Sequence, residues 1–471
     1  MPHLESPNRR LRLRLALICL TLIVHGVVCT HDFVNMDDPQ TIYDNPRLKP
    51  PSLNNTFYYW DNRGLELYIP CTYTVWSLTA AISGGWHGSE YLLHPLGFHA
   101  VNLCCHLLSV LVVFEIVQLV LKSPESAAIG AAVFAVHPLQ VEAIAWATGL
   151  KDVLSGFAAF IAIWLYLVAA SPALRRNTKT ANLLFPFAVA TLAFTVAVLS
   201  KPAGVAAIGI AAVLDFYLHK TTLRSMALRL WPWLMIGAAI AIIAHHVQPA
   251  GEVSDNSLIL RPLIALDALS FYLWKLCWPL HLGPDYGRRP TAVIDHGWIT
   301  WTWAIPIAAA WLVWSVRRRN PLVLASAGVF LAGLLPTLGL VPFIFQRHST
   351  VADRYAYLAM LGPAMVSGWL ACRYSLSRIP ALMLIGLLAI CSLGQEAVWS
   401  DSLHLFSYAV RVSPEAPFNH LNYGVALASD GQFNQAASQF RQTLALSPQN
   451  SQARDNLALL RKLTENRPER P

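Results

Sequence analysis

Charge is what this chain has least of. Only 13% of its 471 residues are Asp, Glu, Lys or Arg, against about 25% in a soluble domain. An ordinary soluble globular protein is excluded. Informative cysteine is also missing: there are eight, none at a metal-ligand spacing. Cys19, Cys104, Cys105, Cys277, Cys372 and Cys391 lie inside apolar stretches, where Cys behaves as a small hydrophobe. Cys29 ends the first such stretch and Cys71 lies in a long loop. Neither a zinc site nor a disulfide framework is supported. The net charge of +8 invites a nucleic-acid reading. The basic residues, however, sit in short breaks between apolar blocks and form no face or arm, so nucleic acid is excluded as a partner.

What the chain does have is long apolar blocks of sixteen to twenty-eight residues. A transmembrane helix needs about 20 such residues. Eleven blocks read as spans: Leu11–Cys29, His94–Leu121, Ala127–Ala145, Val153–Ala170, Leu183–Leu199, Ala203–Leu218, Trp231–His246, Ile299–Val316, Pro321–Phe343, Tyr355–Cys372 and Ile379–Gly394. Arg9, Arg10, Arg12 and Arg14 precede the first without a small-residue cleavage site after it, so it reads as an uncleaved anchor.

Loop charges test that count, because cytoplasmic loops are enriched in Lys and Arg. With the N-terminus inside, the inner segments hold that arginine group and then Lys122. Arg175, Arg176 and Lys179 follow, then Lys220, Arg224 and Arg229, then Arg317, Arg318 and Arg319, then Arg373 and Arg378. The opposite loops mix in acids: Asp32, Asp37, Asp38, Glu66, Glu252, Asp255 and Asp353 among them. The alternation holds through all eleven crossings. It predicts two large outer loops, 30–93 and 247–298, and a tail outside the cytoplasm. Pro262 to Leu282 carries Asp267 and Lys275, and a crossing there would put Arg317 to Arg319 outside. It reads as an interfacial helix, with Tyr272, Trp274 and Trp278 at the membrane surface. Tyr73 to Ser83 reads as another.

Composition shifts after Gly394. Residues 1–395 read as the membrane domain and 396–471 as a separate tail. Pro414 and Pro448 lie 34 residues apart, with Tyr423-Gly424, Gly431 and Ala436-Ala437 between them. That spacing fits a tetratricopeptide helix-turn-helix, and Asn456-Leu457-Ala458 starts a second copy. An array needs about three repeats to stand alone, so the tail is expected to pack on the membrane domain or on a partner.

Few polar residues are placed for chemistry. Asp37 and Asp38 form a carboxylate pair just outside the first span. Such a pair suits a general base with a supporting acid, or a metal-ligand pair. On residue type alone, solvated loop acids or a helix cap explain it more readily. His137, Glu142, Lys151 and Asp152 cluster at the outer ends of two spans, where ionisable groups are functional candidates. Lys201, Arg347 and Arg354 are cations on the outer side, against the orientation bias. A lipid phosphate would explain them, and so would snorkelling or an ion pair. His99, Asn102 and His106 share one helix face and read as a polar seam between helices. Asp215 is expected to pair with Lys220.

Several motifs in order carry a resemblance. Phe33-Val34-Asn35-Met36-Asp37-Asp38-Pro39 with Asn45-Pro46 is followed by Gly97-Phe98-His99-Ala100-Val101-Asn102 and Phe134-Ala135-Val136-His137-Pro138. Lys151-Asp152-Val153-Leu154-Ser155, Ser200-Lys201-Pro202 and Ala352-Asp353-Arg354-Tyr355 complete the series. Together with the tail, they resemble the transmembrane O-mannosyltransferases that carry tetratricopeptide repeats, within the C-type glycosyltransferase superfamily. Tyr68-Ile69-Pro70 departs from a Tyr-Arg-Pro common in related sequences, and the short tail points to a bacterial-type member.

The resemblance implies an all-α polytopic helical bundle that takes mannose or another hexose from a polyprenyl- or dolichyl-phosphate donor. The acceptor is a hydroxyl, on a protein, at the non-cytoplasmic face: the periplasm, or the endoplasmic reticulum lumen in a eukaryote. It makes Asp37 or Asp38 the base, one of them holding any divalent metal. Lys151, Lys201 and Arg354 become phosphate contacts, and His137 and Glu142 cavity walls. A catalytically silent scaffold using its tail for partner binding, or a transporter of lipid-linked sugars, is the alternative. Neither would need Asp37.

Overall fold

The computed structural model describes residues 7–62, 67–171, 180–247, 259–373 and 378–465. The topology markers Glu66, Arg175, Arg176, Lys179, Glu252 and Asp255 lie outside the described residues. The protein is an all-α, multi-pass membrane protein. Among the described residues the only paired strands form one short hairpin, Gly84–His87 with Glu90–Leu93.

Among the described residues seven helices are long and apolar enough to cross a membrane: Asn8–Thr30, Pro95–Leu121, Ala147–Ala170, Pro202–His219, Leu223–Ala244, Trp298–Val316 and Ile379–Val398. An eighth crossing is bent by 55° where Pro124–Val136 meets Pro138–Ala145. Pro138 explains the break, since it has no N–H to continue the first helix. Three shorter apolar helices, Phe185–Ser200, Pro321–Thr337 and Leu361–Ala371, occupy the remaining expected positions. The centre of the bundle is Pro95–Leu121, Pro124–Val136 and Leu150–Ala170, whose inward faces are almost wholly buried. Trp298–Val316 lies at the rim, with Trp311 and Trp314 exposed as lipid-facing residues would be.

The polar seam on the second span is present. Asn102 Nδ2 donates to the carbonyls of Ile144 (3.2 Å) and Trp146 (2.7 Å), tying the span to the end of the bent pair. His106 Nε2 donates to Ala135 O at 3.1 Å, and His106 Nδ1 meets the Tyr357 hydroxyl at 3.0 Å. His25 Nε2 donates to the same Ala135 carbonyl at 2.8 Å, so three helices meet on one acceptor.

Two expectations are corrected. Asp215 does not pair with Lys220. Its oxygens take His219 Nδ1, Tyr166 Oη, Thr221 Oγ1 and Arg229 Nη1 (2.8–3.5 Å), while Lys220 lies over Tyr217. Lys220 closes its helix with φ of 53°, which turns its side chain off that face. Pro262 to Leu282 does contain a helix, Arg261–Cys277, with Trp274 and Trp278 exposed. Tyr272, however, is fully buried: its hydroxyl donates to Ala352 O and accepts from Ala352 N, both at 3.1 Å.

Loop one is ordered by local chemistry. Ser52 caps the helix Leu53–Asp61 by accepting from Asn55 N at 3.1 Å. Tyr59 stacks on Tyr73 at 3.7 Å, joining that helix to Pro70–Ser83. Asn45 Nδ2 donates to Thr41 O (3.0 Å) and Tyr59 Oη (2.8 Å), which gives Asn45-Pro46 a structural role.

Beyond the last span come Ser402–Val412, Pro417–Ser429, Phe433–Leu446 and Ser451–Glu465. Pro417–Ser429 and Phe433–Leu446 form a hairpin. At Gly424 a Cβ would meet the Phe440 ring at 2.6 Å, so only glycine allows this approach. The tail is stitched to the membrane domain. Asp32 N donates to Ser400 O and Asn35 N to Ser402 Oγ, at 2.9 and 2.8 Å. Asn419 Nδ2 donates to Asp285 O at 3.1 Å.

Candidate active site

The two neighbouring carboxylates are used in opposite ways. Asp38 is fully buried. Its Oδ2 accepts from Val34 N at 2.9 Å; its Oδ1 accepts from Thr148 N at 3.0 Å and Thr148 Oγ1 at 2.6 Å. Burial pushes its carboxyl up to about 6, against the pull of those hydrogen bonds. Asp38 thus pins loop one to the Ala147–Gly149 turn after the bent span. Asp37 is open: its side chain is 35% exposed and lies 3.2 Å from Lys151 Nζ. Lys151 is held in turn over the Trp146 ring at 4.5 Å.

Two more acid–base pairs lie behind this one. Lys201 Nζ pairs with Asp152 Oδ1, and Arg354 Nη1 with Glu142 Oε1. Glu142 Oε2 also accepts from Arg354 N at 2.8 Å, which fixes the turn Asp353–Ala356 against the bent span. The Arg354 guanidinium lies over Phe345 at 4.4 Å and Tyr355 at 5.0 Å. Asp152, Ser155, Lys201, Arg354, Tyr355 and Tyr357 face one cavity. Asp152 Oδ2 and Ser155 Oγ are buried there without a hydrogen-bond partner. The cavity holds about 20 Å³, the room of a single water, so a sugar needs the wall to move. Gly156 lets the Tyr357 ring close on it, because any Cβ there would strike that ring.

The structure therefore brings together Asp37 with Lys151, Asp152 with Lys201, and Glu142 with Arg354. His137 is elsewhere. Its Nδ1 accepts from Leu139 N at 3.2 Å and its Nε2 donates to Leu276 O at 3.3 Å, so it shapes the bend and does not line the cavity. Arg347 ends the turn Ile344–Arg347, next to His348. Desolvation holds His348 toward its neutral form; Asp37 opposes that, while Arg347, Arg289 and Arg354 reinforce it.

Sequence reasoning missed Thr148, Asp285, Arg289 and Tyr357. Asp285 is buried and pushed up to about 7, against the pull of Gly287 N, Arg289 and Arg354. Its Oδ1 accepts from Gly287 N at 2.7 Å. A signal for Arg289 existed: Arg288-Arg289 are adjacent arginines in a loop that the charge pattern reads as outer, against the charge bias.

The carboxylate pair does not fit a metal. Both Asp38 oxygens are spent on N–H and O–H donors, and Asp37 faces an ammonium group. Among the described residues no three His, Cys, Asp or Glu side chains gather as ligands.

No family model matches the sequence. It is similar to a protein O-mannosyl-transferase of Caenorhabditis elegans, 25% identical over 95% of this chain and 64% of the relative. Human protein O-mannosyl-transferase TMTC4 is 25% identical over 90% of this chain and 64% of its own. For human TMTC1 the figures are 23%, 97% and 58%. This chain thus spans less than two thirds of the length of these relatives. Among solved structures, the apo Archaeoglobus fulgidus oligosaccharyltransferase aligns with a TM-score of 0.46 at 14% identity, over 84% of this chain and 56% of that one. Over nearly its whole length, this chain is similar in sequence to proteins named protein O-mannosyl-transferases.

Proposed function

We propose that the protein is a membrane glycosyltransferase that moves mannose or another hexose from a polyprenyl- or dolichyl-phosphate donor to an acceptor hydroxyl at the non-cytoplasmic face. The carrying observation is the division of labour between the paired acids. Asp37 is half-open against Lys151, while every oxygen of Asp38 is occupied.

Asp37 is then the base. It takes the proton from the acceptor hydroxyl as that oxygen bonds the anomeric carbon. The bond from that carbon to the phosphate oxygen breaks, and the lipid phosphate leaves with the electron pair. Lys151 Nζ, 3.2 Å from Asp37 Oδ2, holds that carboxylate in place. Asp38 is a positioning residue that fixes loop one through Thr148. Lys201 and Arg354 are held rigid by Asp152 and Glu142 beside the cavity.

The acceptor is a protein hydroxyl, in keeping with the names of the sequence relatives. The loop charges favour a cytoplasmic N-terminus with loop one and the tail outside, in a bacterial inner membrane or in the endoplasmic reticulum. The tail, read as one tetratricopeptide hairpin plus a further helix, would meet the acceptor.

The test is transfer from a polyprenyl-phosphate sugar by the purified protein and by Asp37→Asn and Asp38→Asn. Asp37→Asn should lose transfer while folding normally. Equal transfer by all three proteins sinks the assignment.

A further inference from the structure

The turn Asp353–Ala356, which carries Arg354, is gripped from three sides. Glu142 takes the Arg354 N–H and its guanidinium. Tyr272, on the helix Arg261–Cys277, exchanges hydrogen bonds with Ala352, just before the turn. The third grip comes from the segment Gly283-Pro284-Asp285-Tyr286-Gly287. Tyr286 Oη lies 2.8 and 3.0 Å from the two carboxylate oxygens of Asp353. Asp353 is buried, and among the described residues no other group hydrogen-bonds that carboxylate.

Tyr286 is itself held. Its hydroxyl accepts from Gly283 N at 3.1 Å. Its ring meets Phe271 edge-on at 4.7 Å, and Lys275 Nζ lies 5.3 Å from it. Asp285 Oδ1 accepts from Gly287 N at 2.7 Å, which closes the turn around Tyr286. The tail fastens that same turn. Asn419 is fully buried, and its Nδ2 donates to Asp285 O at 3.1 Å, with Ala409 O and Ser413 O at 3.3 and 3.5 Å. Gly287 has a φ of 63°, and a Cβ there would meet Ala416 Cβ at 3.4 Å, so glycine lets the turn lie against the tail. Hydrogen bonds thus run from Asn419 through the Asp285-Tyr286 turn to Asp353, Arg354 and Glu142.

A contiguous chain of hydrogen bonds does not by itself prove coupling. The physical argument lies in the last link. A buried carboxylate is costly unless it is hydrogen-bonded, and a hydrogen bond to a charged acceptor is of the stronger kind. Removing one hydroxyl frees Asp353 and loosens the backbone that presents Arg354. Tyr286→Phe does this while keeping the ring contacts with Phe271 and Lys275.

We propose that Tyr286 is a positioning residue: its hydroxyl holds Asp353, and through the turn Arg354, while Asn419 of the tail holds the loop that carries Tyr286. Its part in transfer rests on the transferase reading above; the brace itself does not. The test reads both. Backbone hydrogen exchange is followed in the full-length protein in lipid nanodiscs, beside steady-state transfer from a polyprenyl-phosphate sugar.

Tyr286→Phe should speed exchange over residues 350–357 about tenfold and leave Leu150–Ala170 unchanged. In an Asp353→Ala background it should add nothing, because the two side chains act as one pair. Asn419→Ala should speed exchange over 283–289, and over 350–357 by less. Glu415→Ala, which breaks an exposed 3.3 Å contact between the tail and His296, should change neither. In transfer, Tyr286→Phe should lower kcat about tenfold with the donor KM nearly constant. Unchanged exchange over 350–357 in Tyr286→Phe, a speed-up spread over the whole chain, or additive effects with Asp353→Ala overturns the brace. An equal effect of Glu415→Ala overturns the part of Asn419. Faster exchange with unchanged kcat overturns the role of Tyr286 in transfer and leaves the transferase standing. Faster exchange with no transfer by the wild type overturns the transferase and keeps the brace.

Discussion

Each face of the bundle holds a buried acid network, and the two are built differently. At one end of the bundle, Asp215 is fully buried and four side chains from the 166–229 region converge on its two oxygens. At the other end, Asp152 has one side-chain partner among the described residues, Lys201, and its second oxygen faces a cavity unsatisfied. Asp37 keeps a third of its surface open. A saturated network holds helices together. One with unspent donors and acceptors leaves polar atoms free to meet a ligand or a water, and each such atom is a cost the fold carries. Charge at the end of a span does not by itself mark a site; the state of its hydrogen bonds does.

Four experiments would break or sharpen that contrast. Asp37→Asn should lower transfer roughly 10²- to 10⁴-fold, the usual worth of a general base, with an unchanged melting temperature. Asp215→Ala should do the reverse. It leaves Arg229 unpaired in the bundle and should cost about 3–5 kcal/mol of stability, while activity per folded molecule is retained. Thermal melting in detergent beside the transfer assay separates the two; a swap of phenotypes would end the comparison.

Asp38 sits between these extremes, and pH exposes it. Its native carboxyl is raised to about 6 by burial, against about 3.9 in an unfolded chain. The native state therefore holds the proton more tightly. The resulting stability is full below about pH 4 and is lost as pH rises through 6, amounting to about 3 kcal/mol by pH 7. The difference in melting temperature between wild type and Asp38→Asn should drift across that window. A constant difference from pH 4 to 7 would rule out a buried, proton-holding Asp38. The smallest effect belongs to Thr148→Val, which removes the hydroxyl that meets Asp38 Oδ1 and Thr41 Oγ1. The loss should be roughly 1–3 kcal/mol by melting, with a matching drop in transfer only if loop one loosens.

The spans were legible because hydropathy is a local property. All eleven apolar blocks have a helix in the structure, although three are short and one is bent. The bend itself follows from Pro138, yet its 55° angle depends on packing. The site was legible only as an inventory. Glu142 and Arg354 lie 212 residues apart, and nothing local says which acid meets which base. The roles of Asp37 and Asp38 could not be separated in the sequence, because what distinguishes them is Thr148, some 110 residues away. Asp215 shows the same limit: Lys220 is near in sequence, but its left-handed backbone points it away. Arg289 was readable by the rule that drew notice to Lys201 and Arg354, a cation in a segment that the loop charges read as outer.

The hydrogen bonds from Asp32 to Ser400 and from Asn35 to Ser402 set an order of assembly. Loop one emerges early in synthesis, directly behind the first span. Two of its backbone anchors are made last, by residues beyond the final one. Until then the segment that carries Asp37 lacks its outer seam. A chain that stops short of the last helix would therefore carry Asp37 on a loop without these two anchors.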